Sequence, residues 1–78
     1  MSTLTVDAGE YTTQELLDAL EAGRRVVVRV EMLGGIHEVT LRHDGTIYYC
    51  DTPTTLHKHR SVDEMRTCIQ NMGYASDG

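Results

Sequence analysis

Four consecutive side chains, His57-Lys58-His59-Arg60, form the densest group able to ligate a metal, move a proton or attract an anion. The two thiols of the chain, Cys50 and Cys68, lie on either side of them in sequence. On an extended backbone alternate residues share a side, so His57 and His59 project together. Two imidazoles with one or two thiolates would complete a tetrahedral zinc set, which makes Cys50, His57, His59 and Cys68 the weak metal candidates. Their spacing matches none of the short paired-ligand patterns of zinc sites, and Cys50 falls at a core position of a strand, where free cysteine is often buried. The expectation is therefore no resident cofactor, with a small zinc protein as a second alternative and a solvated basic loop as the plain reading of 57–60. Catalysis needs a nucleophile and a base held by a third group. A Cys50–histidine couple is the sole candidate and nothing orients it, so the protein is read as non-enzymatic. His37 reads as a partly buried packing residue, and His43 as a solvated neighbour of a turn.

The elements that must position these groups are clearest between Arg24 and Asp51, which reads as three strands joined at Gly34-Gly35 and Asp44-Gly45. Val26, Val28, Val30 and Met32 alternate with Arg25, Val27, Arg29 and Glu31, giving one wholly apolar face. A two-residue turn at Gly34-Gly35 sets Val30 opposite Val39 and Val28 opposite Leu41, so both apolar sets share that face. A three-residue loop would turn the second set to the wrong side. At Asp44-Gly45 a two-residue turn and a three-residue loop with a glycine bulge both remain open, and they exchange the sides of Tyr48 and Tyr49. Thr3 to Val6 suits a short edge strand.

Thr12-Thr13-Gln14-Glu15 and Ser61-Val62-Asp63-Glu64 are capping-box patterns that open two helices. The first runs over roughly 13–22 with Leu16, Leu17 and Leu20 as its apolar stripe. The second carries Val62, Met65, Ile69 and Met72 with Cys68 beside them, and ends before Gly73, with Tyr74 folding back over it. Thr52-Pro53-Thr54-Thr55 is a connector. The expected fold is a single α+β domain over 1–78, its ordered core about 3–74. Its sheet is antiparallel with three to four strands and carries two helices on one face, in the order (β)-α-β-β-β-α.

That arrangement leaves the other sheet face bare. Val27, Arg29, Leu33, Ile36, Thr40 and Arg42 fall there, with one tyrosine, Tyr49 under the two-residue turn, and with Glu31 opposite Glu38. Apolar, aromatic and arginine side chains together are enriched at protein interfaces, and the leading expectation is a homodimer, or another protein partner, bound through this face. The alternative is nucleic acid held by Arg29, Arg42 and the tyrosine, with His57, Lys58, His59 and Arg60 assisting. The order of elements from residue 12 onward resembles a double-stranded RNA-binding domain. Such domains hold phosphates with a basic cluster at the start of the final helix, where this chain has Asp63 and Glu64, so that activity is not carried over.

Composition narrows the classes. A single domain of 78 residues buries only about 60% of its unfolded surface, a marginal core. Residues 1–23 hold five acids and no base, residues 24–60 six bases against four acids, and the net charge is −5. A globally acidic surface argues against generic nucleic-acid binding. No run approaches the roughly 20 apolar residues of a membrane span, and no charged start followed by an apolar run opens the chain, so a cytoplasmic protein with reduced thiols is expected. Six arginines against one lysine, with twelve acids and ten threonines, suit either concentrated salt or GC-rich coding.

Arg25-Val26-Val27-Val28-Arg29-Val30-Glu31, His37-Glu38-Val39-Thr40-Leu41-Arg42-His43-Asp44-Gly45, Tyr48-Tyr49-Cys50-Asp51-Thr52-Pro53 and Asp63-Glu64-Met65-Arg66 together resemble small uncharacterised proteins of haloarchaea. The resemblance implies a cytoplasmic protein of a high-salt cell and carries no activity with it.

Overall fold

The computed structural model of the protein describes residues 2–77 and, among them, every side chain except that of Met32. The elements run β1 (Thr3–Asp7), α1 (Thr13–Glu21), β2 (Arg25–Met32), β3 (Gly35–His43), β4 (Tyr48–Asp51), β5 (Leu56–His59) and α2 (Val62–Met72). Among the described residues the strands form one open sheet in the order β1-β2-β3-β4-β5. β1 lies parallel to β2, and the remaining neighbours are antiparallel. The sheet is therefore mixed and five-stranded, where three to four antiparallel strands were expected. β1 is parallel because α1 carries the chain across the sheet before β2 begins, the connection that parallel neighbours require. β5 is hidden in the sequence because Leu56-His57-Lys58-His59 lacks apolar alternation, and only its pairing with β4 reveals a strand.

The β2–β3 turn is at Leu33-Gly34, with Met32 pairing Gly35, instead of at Gly34-Gly35. Gly34 supplies the left-handed backbone at φ 91, and Leu33 is left fully exposed at the tip. Every expected pair is thereby shifted by two: Val28 faces Val39 and Val26 faces Leu41. A shift of two keeps each side chain on its expected face, as a shift of one would not. It also removes a repulsion, because Glu38 now lies opposite Arg29 instead of Glu31, and like charges directly opposite destabilise a strand pair.

The β3–β4 loop spans four residues, 44–47, longer than either expected form. Asp44 closes it: its backbone N–H donates to the Ile47 carbonyl at 3.1 Å, and its Oδ1 accepts from the N–H groups of Thr46 (2.8 Å) and Ile47 (2.7 Å). The side facing is that of the two-residue reading: Tyr48 is buried, Tyr49 points away from the core, and Cys50 is buried opposite Leu41, not Val39. Thr52 closes the β4–β5 turn in a similar way, its hydroxyl donating to the Thr55 carbonyl at 2.7 Å.

Both helices cover one sheet face. Leu16, Leu17 and Leu20 from α1 and Met65 and Ile69 from α2 are buried with Val6, Val26, Val28, Val39 and Leu41. The Thr12 cap is complete, with Glu15 N–H donating to its hydroxyl and Thr12 N–H donating to the Glu15 carboxylate. At α2 the box is looser, since Ser61 caps Glu64 but the Glu64 carboxylate accepts from Arg60 N–H. Gly73, at φ 74, turns the chain off α2 and sends Tyr74 into the core. The tail then clamps the start of α1. Ser76 N–H donates to the Tyr11 carbonyl at 2.8 Å, and Asp77 accepts from the N–H and hydroxyl of Thr13 at 2.9 and 2.7 Å. Two residues expected to pack are less buried than that: Met72 is 50% exposed because α2 ends before the sheet does, and His37, although on the inward side of β3, is exposed for the same reason. The side chain of Met32, expected on the apolar face, lies outside the described residues. In urea denaturation, Leu41→Ala is expected to cost about 3 kcal/mol as a core cavity, Thr12→Ala about 1 kcal/mol as a lost cap, and Met72→Ala under about 1 kcal/mol.

Candidate functional site

The sheet face opposite the helices carries most of the candidate binding residues. Register puts them in rows across the strands. The central row is Thr5, Val27, Thr40, Asp51 and Leu56. Toward one end of the strands lie Thr3, Arg25, Arg42, Tyr49 and Lys58, Arg25 and Arg42 standing one residue beyond the Val26–Leu41 pair. Toward the other end lie Asp7, Arg29 and Glu38, then Glu31 opposite Ile36. Val27, Thr40, Arg42 and Tyr49 are half-buried by their neighbours, while Ile36 and Leu56 are 56% and 46% exposed. The face thus has small and apolar side chains at its centre with Asp51 as the one charge among them, and is basic at one end and mainly acidic at the other. Arg29 is the exception at the acidic end, where its Nη1 lies 3.9 Å from Asp7 Oδ1 in an exposed pair that contributes little to stability.

The basic end is held in shape by one aromatic ring. The Arg42 guanidinium carbon sits 3.9 Å from the Tyr49 ring centroid, and the Tyr49 hydroxyl donates to Asp44 Oδ2 at 2.8 Å. The N–H groups of Ile47 and Thr46, followed by the Tyr49 hydroxyl, hold the Asp44 carboxyl down to about 2. The same bond to Asp44 raises the Tyr49 phenol. The turn that determines which tyrosine faces outward therefore also fixes that tyrosine and its arginine.

The 57–60 island does not act as one patch. β5 sends Lys58 to the open face and His57 and His59 to the helix side, and Arg60 lies beyond the strand beside the α2 cap. On the helix side His57 pairs with Cys50 and His59 with Tyr48, the two imidazole rings lying parallel with centroids 6.5 Å apart. His59 Nε2 is buried without a hydrogen-bond partner. The Cys50 thiol donates to the Tyr74 hydroxyl at 3.8 Å, and both cysteines are free. The expected zinc candidates thus approach one another, yet among the described residues no group of three or more His, Cys, Asp or Glu is placed to hold a metal ion. The two thiols are electrostatically unequal: the Cys50 thiol, then His59 and His57, favour ionisation of Cys68, while Cys68 and burial hold Cys50 protonated. His43, expected in solvent, stacks on Tyr48 with centroids 4.0 Å apart.

The places of Tyr74, Arg25, Leu56 and Asp44 in these sites escaped the sequence reading. Tyr74 was seen only as a lid for α2, and Leu56 was lost with β5. The Thr-Pro turn ahead of 56–59 was the one available sign of that strand.

Two outcomes follow from these ionisations. Because the folded value of Asp44 is depressed, its contribution to the loop is present above its unfolded value and is lost as pH falls toward about 2. An NMR titration of the Asp44 carboxyl carbon should show that low midpoint, and Tyr49→Phe should move it upward. For the thiols, iodoacetamide at neutral pH should alkylate Cys68 in the native protein and reach Cys50 only after unfolding. The Cys68 rate profile should have its midpoint below the ordinary thiol range, and His59→Gln should raise it. Equal labelling of both cysteines in the native state would refute the assignment.

No helix among the described residues is long and apolar enough to cross a membrane. No curated protein and no solved structure matches the sequence. One family model does, over residues 1–77, and by that match the chain belongs to DUF8001, a family of unknown function.

Proposed function

We propose that the protein is a non-enzymatic binding module that pairs with a second copy of itself through the open sheet face. The observation that carries this reading is the distribution of charge along the strands. Arg25, Arg42 and Lys58 mark one end, and Asp7, Glu31 and Glu38 the other, where Arg29 is the single base. A copy turned end for end, about a two-fold axis across the strands, lays the basic end of each subunit on the acidic end of its partner. An isologous interface demands this kind of self-complementarity. Between the charged ends, Val27, Thr40 and Leu56 present a small, partly apolar centre that also holds the exposed Asp51, and Ile36 adds an exposed apolar side chain near the rim. Arg42 stacked on Tyr49 supplies an anchor of the type that dominates binding energy at interfaces. The acid-rich, lysine-poor composition supports a salty cytoplasmic setting. At about 1 M salt screening acts over about 3 Å, so ion pairs in such an interface have to be made by direct contact.

Nucleic acid is the second reading, favoured by a single observation: Arg25, Arg42, Tyr49 and Lys58 share one end of the face, guanidinium groups beside a ring on which a base could stack. The acidic opposite end confines such a ligand to a short segment.

Native mass spectrometry and sedimentation equilibrium test the pairing. The wild type is expected as a dimer and Val27→Asp as a folded monomer. Charge reversal at one end, Arg25→Glu with Arg42→Glu, should weaken dimerisation by about tenfold or more. Adding Glu31→Lys and Glu38→Lys in the same chain should restore it, because each end then meets its reversed counterpart. A wild-type monomer at near-millimolar concentration would sink the proposal. Binding of a single-stranded oligonucleotide that falls steeply with salt and follows the arginines would replace it with the second reading.

A further inference from the structure

We propose that the cavity where the helical cover runs out is a binding site for a small carboxylic acid with a compact apolar body. The cavity lies on the opposite side of the sheet from the proposed dimer face, so neither proposal rests on the other. Its volume is about 360 Å³, inside the range of about 300–1,000 Å³ typical of small-molecule sites.

The cavity follows from the lengths of the elements. α2 stops at Met72, Gly73 turns the chain back, and the strands continue past that point. Beyond the end of the cover the inward positions of β2 and β3 are Val30 and His37, next to the buried Val28–Val39 pair, while His57 reaches the cavity from the edge strand β5, in the row of Cys50 and Leu41. Val30, Val39, Met72 and Tyr74 give the cavity an apolar lining, and the β4–β5 turn borders it. Val39 and Tyr74 are buried parts of the core, which makes this part of the lining preformed. Met72, at 50% exposure, offers a flexible apolar side chain able to close over a ligand.

The polar features select the ligand. His37 and His57 both line the cavity, and both are exposed. They occupy inward positions where a continuous core would call for aliphatic side chains, and imidazole N–H groups are hydrogen-bond donors. Among the described residues no Asp, Glu, Lys or Arg lines the cavity, and of the side chains that do, only the two imidazoles can become cationic. A cationic ligand would therefore find no counter-charge there, and a sugar would leave most of its hydroxyl groups against apolar walls. A carboxylate can accept from either imidazole while its apolar body fills the space between Val30, Val39 and Met72. The volume accommodates an acid with a single ring or a short branched body.

The test is a ¹H–¹⁵N NMR titration of the full chain with three probes of similar shape: phenylacetate, phenylacetamide and benzylamine. Phenylacetate is expected to give saturable shifts at Val30, His37, Val39, Thr54 and Tyr74, leaving the amides of Val27 and Arg42 unmoved. The neutral amide, whose carbonyl is a weaker acceptor than a carboxylate, and the amine, which has no carbonyl or carboxylate acceptor, should bind about tenfold more weakly or worse. Because both imidazoles are exposed, His37→Ala with His57→Ala should leave the fold intact, verified by its spectrum, and should weaken phenylacetate by a similar factor. Absence of saturable shifts up to the solubility limit of phenylacetate would overturn the proposal. So would binding of the amide as tight as that of the acid, or an unchanged affinity in the double variant.

Discussion

Two short helices cannot cover both faces of a sheet five strands wide, and the rest of the molecule follows from that limit. At about 1.5 Å per residue, the nine residues of α1 and the eleven of α2 extend about 14 and 17 Å. The outer strands are separated by about 19 Å at the usual spacing. The helices therefore lie together on one face, tied by the Arg66–Gln14 hydrogen bond at 3.0 Å, and their leucines, Met65 and Ile69 complete a single core. The opposite face is left bare, and even the covered face has an uncovered end.

Both sites discussed above are consequences of where this cover stops. On the bare face the side chains need not be apolar, and the alternating positions of β2 and β3 hold arginine, glutamate and threonine, with the two charges unequally distributed along the strands. At the uncovered end of the helix side the inward positions change from valine to histidine, since burial there is incomplete. The same strand alternation divides His57-Lys58-His59-Arg60 between two surfaces. A run that looks like one basic patch in sequence contributes Lys58 to one face and two imidazoles to the other.

The margin of stability in so small a core is reinforced by local hydrogen bonding. Asp44, Thr52 and Thr12 each close a loop or cap with their own side chain, and Asp77 reaches back across the chain to Thr13. Asp44 joins stability to surface chemistry, since the carboxylate that closes the β3–β4 loop also holds Tyr49 under Arg42.

Strand alternation, helix caps and glycine stops were legible in the sequence because each depends on residues close together in the chain. Val26, Val28, Leu41 and Cys50 could be placed in the core, Val27 and Arg29 outside it, and Gly73 at the end of a helix. Pairing partners were not legible, since a shift of two residues preserves every facing, and the choice between registers depends on cross-strand contacts such as Glu38 against Arg29. The parallel pairing of β1, and the existence of β5, were likewise tertiary decisions: one depends on the path of α1 over the sheet, the other on an available edge at β4. The candidate sites divide in the same way. Residue types on the open face could be read from alternation, but the charge gradient along it, the separation of Lys58 from its histidine neighbours and the lining of one cavity by both His37 and His57 require the strands to be assembled into one sheet.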